Sequence, residues 1–385
     1  TNLRNIAKLK AAGARFVRGA ADALNFGYSD SAWWLRFSLA GDTRPRETLL
    51  EIGFPSLDHV DVYAVQRDAR GGEAVVLKRG GDSLVWGARE VRHRNHVFRL
   101  SIPADAERTF YLRVASESVV TVPAWLWVPE AFAANDRDAM IVLGLFYGLV
   151  IALFLYNLML FLALRDRVYL WYVLYTAAFG MFLFTFDGLA YEHLWPGSVW
   201  WANHALATAL SLTLAFGVQF ARTFMDLPRI APAVDRYSQG VIALAALFAF
   251  SAAPGWALSY GAILRATSVV GAATAMLVLY VSVHEALRGD RPARLFLLAW
   301  ATLLVSIAAG ALRNFALVPT NFLTVHGLHI GLALDIVLLS FALADRIGVI
   351  KHEKLIAQAE ALAAHQAMLE ATRQNERELE RRIGE

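Results

Sequence analysis

Residues Ala139–Leu164 read AMIVLGLFYGLVIALFLYNLMLFLAL, an apolar run without a charged side chain. A helix needs about 20 such residues to cross the hydrocarbon core of a bilayer, because lipid offers the backbone no hydrogen-bond partner. Six further segments of the same character follow: Val168–Phe186, Val199–Ala221, Tyr237–Pro254, Ala257–Val283, Leu295–Leu312 and Phe322–Ala344. We therefore predict a membrane protein whose residues 139–346 form a bundle of seven transmembrane helices.

Basic residues between these segments are concentrated on alternate connections. The first, third, fifth and seventh connections contain eleven of them: Arg165, Arg167, Arg222, Arg229, Arg236, Arg288, Arg291, Arg294, Arg346, Lys351 and Lys354. The second, fourth and sixth connections contain Arg313 alone. Because basic loops are retained on the cytoplasmic side, we expect residues 1–138 to lie outside the cytoplasm and the C-terminal tail to lie inside.

Composition excludes several classes of protein. The chain has 385 residues, of which 57% are hydrophobic, and a net charge of +3 that sits largely in the short basic connections, so we expect no nucleic-acid partner. The absence of cysteine excludes disulfides and thiolate metal sites. No lysine occurs between Lys78 and Lys351, which excludes a retinal Schiff base in the seventh segment. Residues Thr1–Gly13 contain no apolar run of signal-peptide length, and we expect a leader to precede them.

Residues 31–130 alternate apolar and polar side chains between glycine-containing turns, which is typical of half-buried strands. We predict an all-β jelly-roll or β-sandwich sensor domain there, with residues 1–30 as a lead-in. The expected strands are Trp33–Leu39, Thr48–Gly53, His59–Val65, Glu73–Lys78, Val97–Ile102, Thr109–Ala115 and Val122–Val128.

Two groups of side chains in this domain are candidates for ligand binding. The first group is tryptophans that could stack on a sugar: Trp33, Trp34, Trp86, Trp125 and Trp127. Core packing, or contact with the membrane surface, is the simpler interpretation of each. The second group is a basic run that could attract an anion: Arg89, Arg92, His93, Arg94 and His96. Here a solvated strand and loop is the simpler interpretation. We retain Trp86, Arg89 and Arg94 as candidate ligand residues.

Polar side chains within the apolar segments form the second candidate site. Such groups are costly in a bilayer unless they are paired or face a cavity. Six of them lie in the outer half of the expected bundle: Asp187, His204, Arg265, Arg313, His326 and His329. They predict an outward-facing pocket for a small anionic ligand or a pH-sensitive site. Interhelical hydrogen bonds with a packing role alone are the alternative. Without a nearby carboxylate the histidines indicate no metal, and no cofactor is expected.

The C-terminal residues 347–385 contain a heptad seam. Its positions alternate by four and three residues: Leu355, Gln358, Leu362, His365, Leu369, Thr372, Glu376, Leu379 and Ile383. This spacing predicts a cytoplasmic coiled coil that pairs two copies of the chain, although its polar positions weaken it. An unpaired solvated helix is the alternative. No helix breaker separates the seam from the seventh segment, so motion of that segment would pass into the tail. No catalytic motif occurs, and no catalytic residue is assigned.

Several short stretches resemble the bacterial seven-transmembrane receptors with diverse intracellular signalling modules. They are Tyr156-Asn157-Leu158, Arg165-Asp166, Tyr169-Leu170, Asp187-Gly188, Leu194-Trp195-Pro196, Gly327–Gly331 and Leu339–Ile347 in the bundle, and Trp34–Phe37, Gly81-Asp82, His93–Asn95 and Tyr111–Val114 before it. The resemblance implies a multi-pass protein of the inner (plasma) membrane with a periplasmic N-terminus, a jelly-roll sensor for a sugar-like ligand, and a downstream cytoplasmic module. In this family that module is commonly a histidine kinase or a diguanylate cyclase.

Our hypothesis is therefore a homodimeric receptor that binds a small-molecule or sugar ligand outside the cytoplasm and relays the signal through its seventh helix and coiled coil. A transporter or channel with a periplasmic substrate-delivery domain is the alternative. No two apolar segments have the matched Gly/Pro breaks of inverted repeats. Substrate flux in proteoliposomes would distinguish the two classes of protein.

Overall fold

The chain forms an N-terminal β-domain followed by a helical bundle. These are seen in a computed structural model that describes residues 16–19, 23–29, 31–67, 73–250, 259–289, 291–314, 318 and 322–383. The division into a β-domain and apolar helices confirms the predicted fold class.

The β-domain is a sandwich of two four-stranded antiparallel sheets. Its strands are β1 (Ala23–Tyr28), β2 (Trp33–Ala40), β3 (Arg46–Ile52), β4 (His59–Arg67), β5 (Glu73–Gly80), β6 (His96–Ile102), β7 (Glu107–Ala115) and β8 (Val119–Trp127). The sheet orders are β1-β8-β3-β6 and β2-β7-β4-β5. This is the strand order of an eight-stranded jelly roll.

Strand β1 lies within the segment that the sequence analysis treated as a lead-in. Leu24 pairs with Val122 of β8, so β1 extends one sheet of the sandwich. The sandwich therefore begins before residue 31, and this strand has no equivalent among the predicted ones.

Alternating side chains of the strands fill the space between the two sheets. In β6, Phe98, Leu100 and Ile102 are buried, whereas Arg99 and Ser101 point to solvent. The same period of two is expected wherever one face of a sheet is buried. The apolar residues at alternate positions of the strands therefore form the core of the sandwich.

Seven long helices follow the sandwich. They are α1 (Pro129–Leu164), α2 (Arg167–Phe186), α3 (Val199–Phe224), α4 (Pro232–Phe250), α5 (Tyr260–Leu287), α6 (Arg291–Asn314) and α7 (Phe322–Ile383). Six of these helices are long and apolar enough to cross a membrane within the described residues, and α4 is the exception. The segment predicted for α4 runs to Pro254, and residues 251–258 lie outside the described part of the chain.

Helix α7 buries one face in the bundle core. Its residues Leu332, Ile336, Leu339 and Leu343 are fully buried among side chains of the neighbouring helices. Helix α1, in contrast, is the most exposed span, with 6% of its apolar window buried. An added Cβ at Gly144 or Gly148 of α1 would meet no described atom within 4 Å. No described helix of this chain therefore packs closely against these two glycines.

Helix α7 continues without interruption beyond the bundle. It contains 62 residues, which corresponds to a length of about 93 Å at a rise of 1.5 Å per residue. Leu362 and Leu369 of the expected seam are exposed in the single chain. The side chains of Leu355, Leu379 and Ile383 lie outside the described residues. The absence of a breaker between bundle and tail is confirmed, whereas pairing of two tails stays a prediction.

The buried imidazole of His96 gives the β-domain a defined pH dependence. Its Nδ1 accepts from the Gly81 amide at 3.3 Å and its Nε2 lies 3.2 Å from the Pro55 carbonyl, so the neutral ring is satisfied on both sides. Burial, and then the positive charge of Arg89, lower the pKa of His96 well below its ordinary value of 6.5. Below pH 6.5 His96 is protonated in the unfolded chain, whereas in the folded chain it remains neutral to lower pH.

We therefore predict that the β-domain of the full chain loses about 1 kcal/mol of unfolding free energy between pH 7.5 and 5.5 through this residue. Denaturant unfolding followed by tryptophan fluorescence measures the change. His96→Gln should reduce the pH dependence, and His59→Gln, at an exposed position, should leave it intact. An equal pH dependence in wild type and His96→Gln would contradict the prediction.

Candidate functional site

The β-domain rests on the connection between α2 and α3 and on the start of α5. The Tyr191 hydroxyl donates to the Leu84 carbonyl at 2.6 Å, and the Trp86 amide donates to the Pro196 carbonyl at 3.3 Å. These contacts join two loops that are far apart in sequence. The junction between the two domains is therefore a packed and hydrogen-bonded surface.

Gly188 permits a close approach at this junction. Its φ of +79° is in the left-handed region, which L-residues with a side chain seldom adopt. A Cβ at this position would lie 2.8 Å from Pro55 Cβ and 2.9 Å from the Arg94 carbonyl oxygen. The α2–α3 connection can touch the sandwich here only because residue 188 has no side chain.

Arg89 is buried at the centre of the junction and is 8% exposed. Its guanidinium lies 4.3 Å from the Trp86 ring and 5.4 Å from the Tyr191 ring, which is cation–π geometry. Its Nη1 donates to the carbonyls of His93 and Arg94 at 2.9 and 3.3 Å. Burial lowers the pKa of Arg89 to about 10, so the group keeps its charge at neutral pH.

Two aspartates lie beside this arginine. Asp58 accepts hydrogen bonds from the Glu117 amide at 2.7 Å and from the Tyr260 hydroxyl of α5. Burial, and then the negative charge of Asp58, raise the pKa of Asp82 well above its ordinary range. Loss of solvent and the neighbouring carboxylate thus both make ionisation of Asp82 less favourable.

A cavity of about 490 Å³, including its open mouth, lies between the two domains. Four buried polar atoms of residues that line it have no hydrogen-bond partner among the described residues: Asp82 Oδ1, Arg89 Nε, Trp195 Nε1 and Asn203 Oδ1. Buried polar groups in folded proteins are nearly always paired. The cavity is thus lined by both polar and apolar residues, and the hydrogen-bonding capacity of the polar ones is only partly used.

The basic run differs from the solvated loop that the sequence favoured. Arg89 and His93 are buried at the junction, and His96 is buried within the sandwich. His93 Nε2 and Arg94 Nη1 contact Asp136 Oδ1 of α1 at 2.9 and 3.1 Å. The interpretation as a solvated strand and loop is therefore wrong for these residues, because the second domain or the sandwich itself covers them.

The tryptophans of the sandwich are placed largely as the simpler interpretation expected. Trp33, Trp34 and Trp127 pack against or hydrogen-bond to neighbouring side chains of the sandwich, and Trp125 is 46% exposed. Trp86 alone among them is buried at the junction with the bundle. Trp86, Arg89 and Arg94, the three candidate sensor residues, all lie there.

A second cluster joins three helices next to the junction. Asp187 Oδ2 accepts from the Tyr147 hydroxyl at 2.5 Å and from His329 Nε2 at 2.9 Å. These residues belong to α1, to α7 and to the end of α2. The His326 ring lies 6.4 Å from that of His329. The structure therefore places Asp187, His326 and His329, three of the predicted pocket residues, close to one another.

The other predicted pocket residues lie elsewhere. His204 stacks on Trp200 at 4.7 Å, and the exposed Arg265 lies 5.6 Å from the Tyr28 ring of β1. No hydrogen bond or ring contact between described residues joins either of them to Asp187 or His329. The side chain of Arg313 lies outside the described residues.

Three tyrosines of α2 fix α7 at successive levels, and the sequence analysis missed them. Tyr169 and Tyr172 donate to the carbonyls of Leu343 and Ile336 at 2.9 and 2.6 Å. Tyr175 donates to the buried Asp335 carboxylate at 2.9 Å. The sequence feature that could have identified them is their spacing of three residues, which places all three hydroxyls on one helix face. The described residues contain no group of three or more His, Asp or Glu side chains that could hold a metal ion.

Comparison with known families agrees with this arrangement. A family model described as 7TM diverse intracellular signalling matches residues 139–346. A second model, described as 7TMR-DISM extracellular 2, matches residues 1–128. The first match alone covers more than half of the chain. No curated protein matches the chain.

We predict that Gly188→Ala weakens the contact between the two domains at the α2–α3 connection. The added methyl would overlap Pro55 and the Arg94 carbonyl in a strained backbone conformation, and we expect a loss of about 1–3 kcal/mol in the stability of the junction. We expect the loss of stability to appear as faster cleavage between the domains in limited proteolysis of the full chain in detergent. Gly197→Ala is the matched control, because a Cβ there meets no described atom within 4 Å. Equal cleavage rates for both variants would contradict this role of Gly188.

Proposed function

The chain belongs to the 7TM diverse intracellular signalling family and is a transmembrane signalling receptor, and we propose that it relays ligand binding at its outer domain through α7 to a cytoplasmic output module. We propose that the module is of the histidine kinase or diguanylate cyclase type, since the sequence resemblance implies these outputs. No catalytic role is assigned to the described residues.

The observation that carries this proposal is the pair Asp187-Gly188. Gly188 contacts the sandwich at Pro55 and Arg94. The preceding residue, Asp187, accepts a hydrogen bond from His329 of α7. Two consecutive residues thus connect the outer domain to the helix that leaves the bundle. A displacement of the sandwich would reach α7 through one peptide unit.

The tyrosine contacts of α2 support the second step of the relay. Because α7 is bonded to α2 at Leu343, Ile336 and Asp335, a shift at its outer end would change these contacts as a set. The helix then continues through residue Ile383 without a break. An α-helix of this length is stiff enough to pass rotation or translation to its far end.

We propose that the chain lies in a bacterial inner membrane, with the sandwich in the periplasm and the tail in the cytoplasm. The distribution of basic residues between the apolar segments supports this orientation. We also propose that two tails pair along the heptad seam, which would align two output modules.

The orientation can be tested directly, because the chain has no native cysteine. Ser101→Cys places a thiol on an exposed position of β6, and Ala367→Cys places one on the exposed tail. In intact spheroplasts a membrane-impermeant maleimide should label position 101 alone, and position 367 should react only after permeabilisation. Labelling of both positions in intact spheroplasts would refute the proposed topology.

The relay can be tested by cross-linking of the tail. Leu362→Cys and Leu369→Cys should form disulfides between copies in the membrane, whereas Ala367→Cys, off the seam, should not. Asp187→Asn removes a charge-assisted hydrogen bond of about 1.5–3 kcal/mol, and we expect a change of about tenfold or more in cross-linking at positions 362 and 369. Asp138→Asn, at an exposed site of α1, is the matched control. Unchanged cross-linking in Asp187→Asn would contradict the relay.

A further inference from the structure

The cavity at the domain junction contains an unfilled set of donors and acceptors. Arg89 Nε and Trp195 Nε1 are donors without an acceptor, and Asp82 Oδ1 and Asn203 Oδ1 are acceptors without a donor, among the described residues. The enclosed part of the cavity has room for about two water molecules, and a wider mouth opens from it. The site therefore offers matched contacts for two small polar groups at its base and space for a larger group outside.

The donor side is suited to a carboxylate. The hydrogen bonds of Arg89 run from Nη1 to two backbone carbonyls, which leaves its Nε edge unbound. This edge is the one that pairs with carboxylates through two parallel hydrogen bonds. The indole N–H of Trp195 adds a second, uncharged donor on the wall of the same cavity. A hydroxyl group would use only part of this capacity.

The acceptor side is suited to an ammonium group. Asp82 and Asn203 present oxygens, and the rings of Tyr191, Trp195 and Tyr260 also line the cavity. Aromatic faces favour cations. Asp58 lies beside Asp82 and adds negative charge to this side. A simple anion would leave these acceptors unpaired, which is unfavourable for buried groups.

We propose that the junction cavity binds the head group of a small amino acid, with the carboxylate on Arg89 and Trp195 and the ammonium on Asp82 and Asn203. The side chain of the ligand then projects into the mouth. This assignment names the ligand class of the proposed receptor. It rests on the proposed function in one respect, the role of this site as the receptor input. Binding itself requires nothing beyond the cavity.

The position of the cavity connects occupancy with the relay. Gly188 lines it together with Trp195 and Asn203, so an occupant touches the α2–α3 connection directly. Since Asp187 is the next residue toward α2, displacement of Gly188 by the ligand moves the carboxylate that holds His329. The ligand therefore acts at the one place where both domains and α7 meet.

Titration calorimetry on the full chain in nanodiscs tests the site with a panel of small molecules. L-Alanine and glycine should bind saturably. Propionate lacks the ammonium and glycine betaine lacks N–H donors, so both should bind about tenfold or more weakly. D-Glucose and glycerol should not bind. Failure of both amino acids to bind, as expected if only water fills the cavity, overturns the assignment, as does equal or tighter binding of propionate or glucose.

Two variants locate the binding. Trp195→Phe keeps an aromatic ring but removes the indole N–H together with the five-membered part of the indole, and Asn203→Leu removes the amide acceptor. Each should weaken alanine binding about tenfold. Trp125→Phe, at a 46% exposed position of β8, is the matched control and should bind as wild type. Unchanged affinity in both cavity variants places the ligand elsewhere and overturns the assignment.

The same preparations separate this site from the relay. If alanine does not bind but Asp187→Asn still changes cross-linking at Leu362, the site is wrong and the relay stands. If alanine binds with the expected dependence on Trp195 but neither alanine nor Asp187→Asn changes that cross-linking, the site stands and the relay is wrong.

Discussion

The whole arrangement depends on the hydrogen bond between Asp187 and His329. It joins the end of α2 to α7 across a separation of 142 residues in sequence, and Tyr147 of α1 shares the same carboxylate oxygen. In the bilayer a polar group without a partner costs several kcal/mol. These three side chains therefore hold one another in place. Because Gly188 follows directly and packs on the sandwich, two consecutive residues contact both the outer domain and α7.

The two ends of α7 differ in their physical character. Within the bundle, Leu332, Ile336, Leu339 and Leu343 are fully buried, and the tyrosines of α2 bond to the same segment. Beyond the bundle, the described side chains of the tail are exposed. The bundle thus defines the orientation of the helix, and the described side chains of the tail are exposed and do not oppose its rotation. Such a division is suited to a signal that passes in one direction along the helix axis.

The sequence was most informative where one physical effect dominates. Apolar length alone located α1, and alternation located seven of the eight strands. Strand β1 was missed because Ala23–Tyr28 is short and becomes a strand only by pairing with β8. Arg89 was misjudged for a related reason: a charged run indicates solvent unless another domain covers it, and the covering residue Tyr191 lies about a hundred positions away. Asp187 and His329 were both singled out, but their direct bond follows from helix packing.

The partly satisfied junction is itself a physical argument for its role. Each buried polar atom without a partner costs about 1–3 kcal/mol, and four such atoms belong to residues that line one cavity. A junction built for stability alone would pair them or replace them with apolar groups. Gly188 and the buried Arg89 show that the surrounding contacts are close, so poor packing does not account for the unpaired atoms. The cost is recovered when a molecule with complementary groups enters, and a difference in free energy between empty and occupied states is what a receptor needs to shift its conformation.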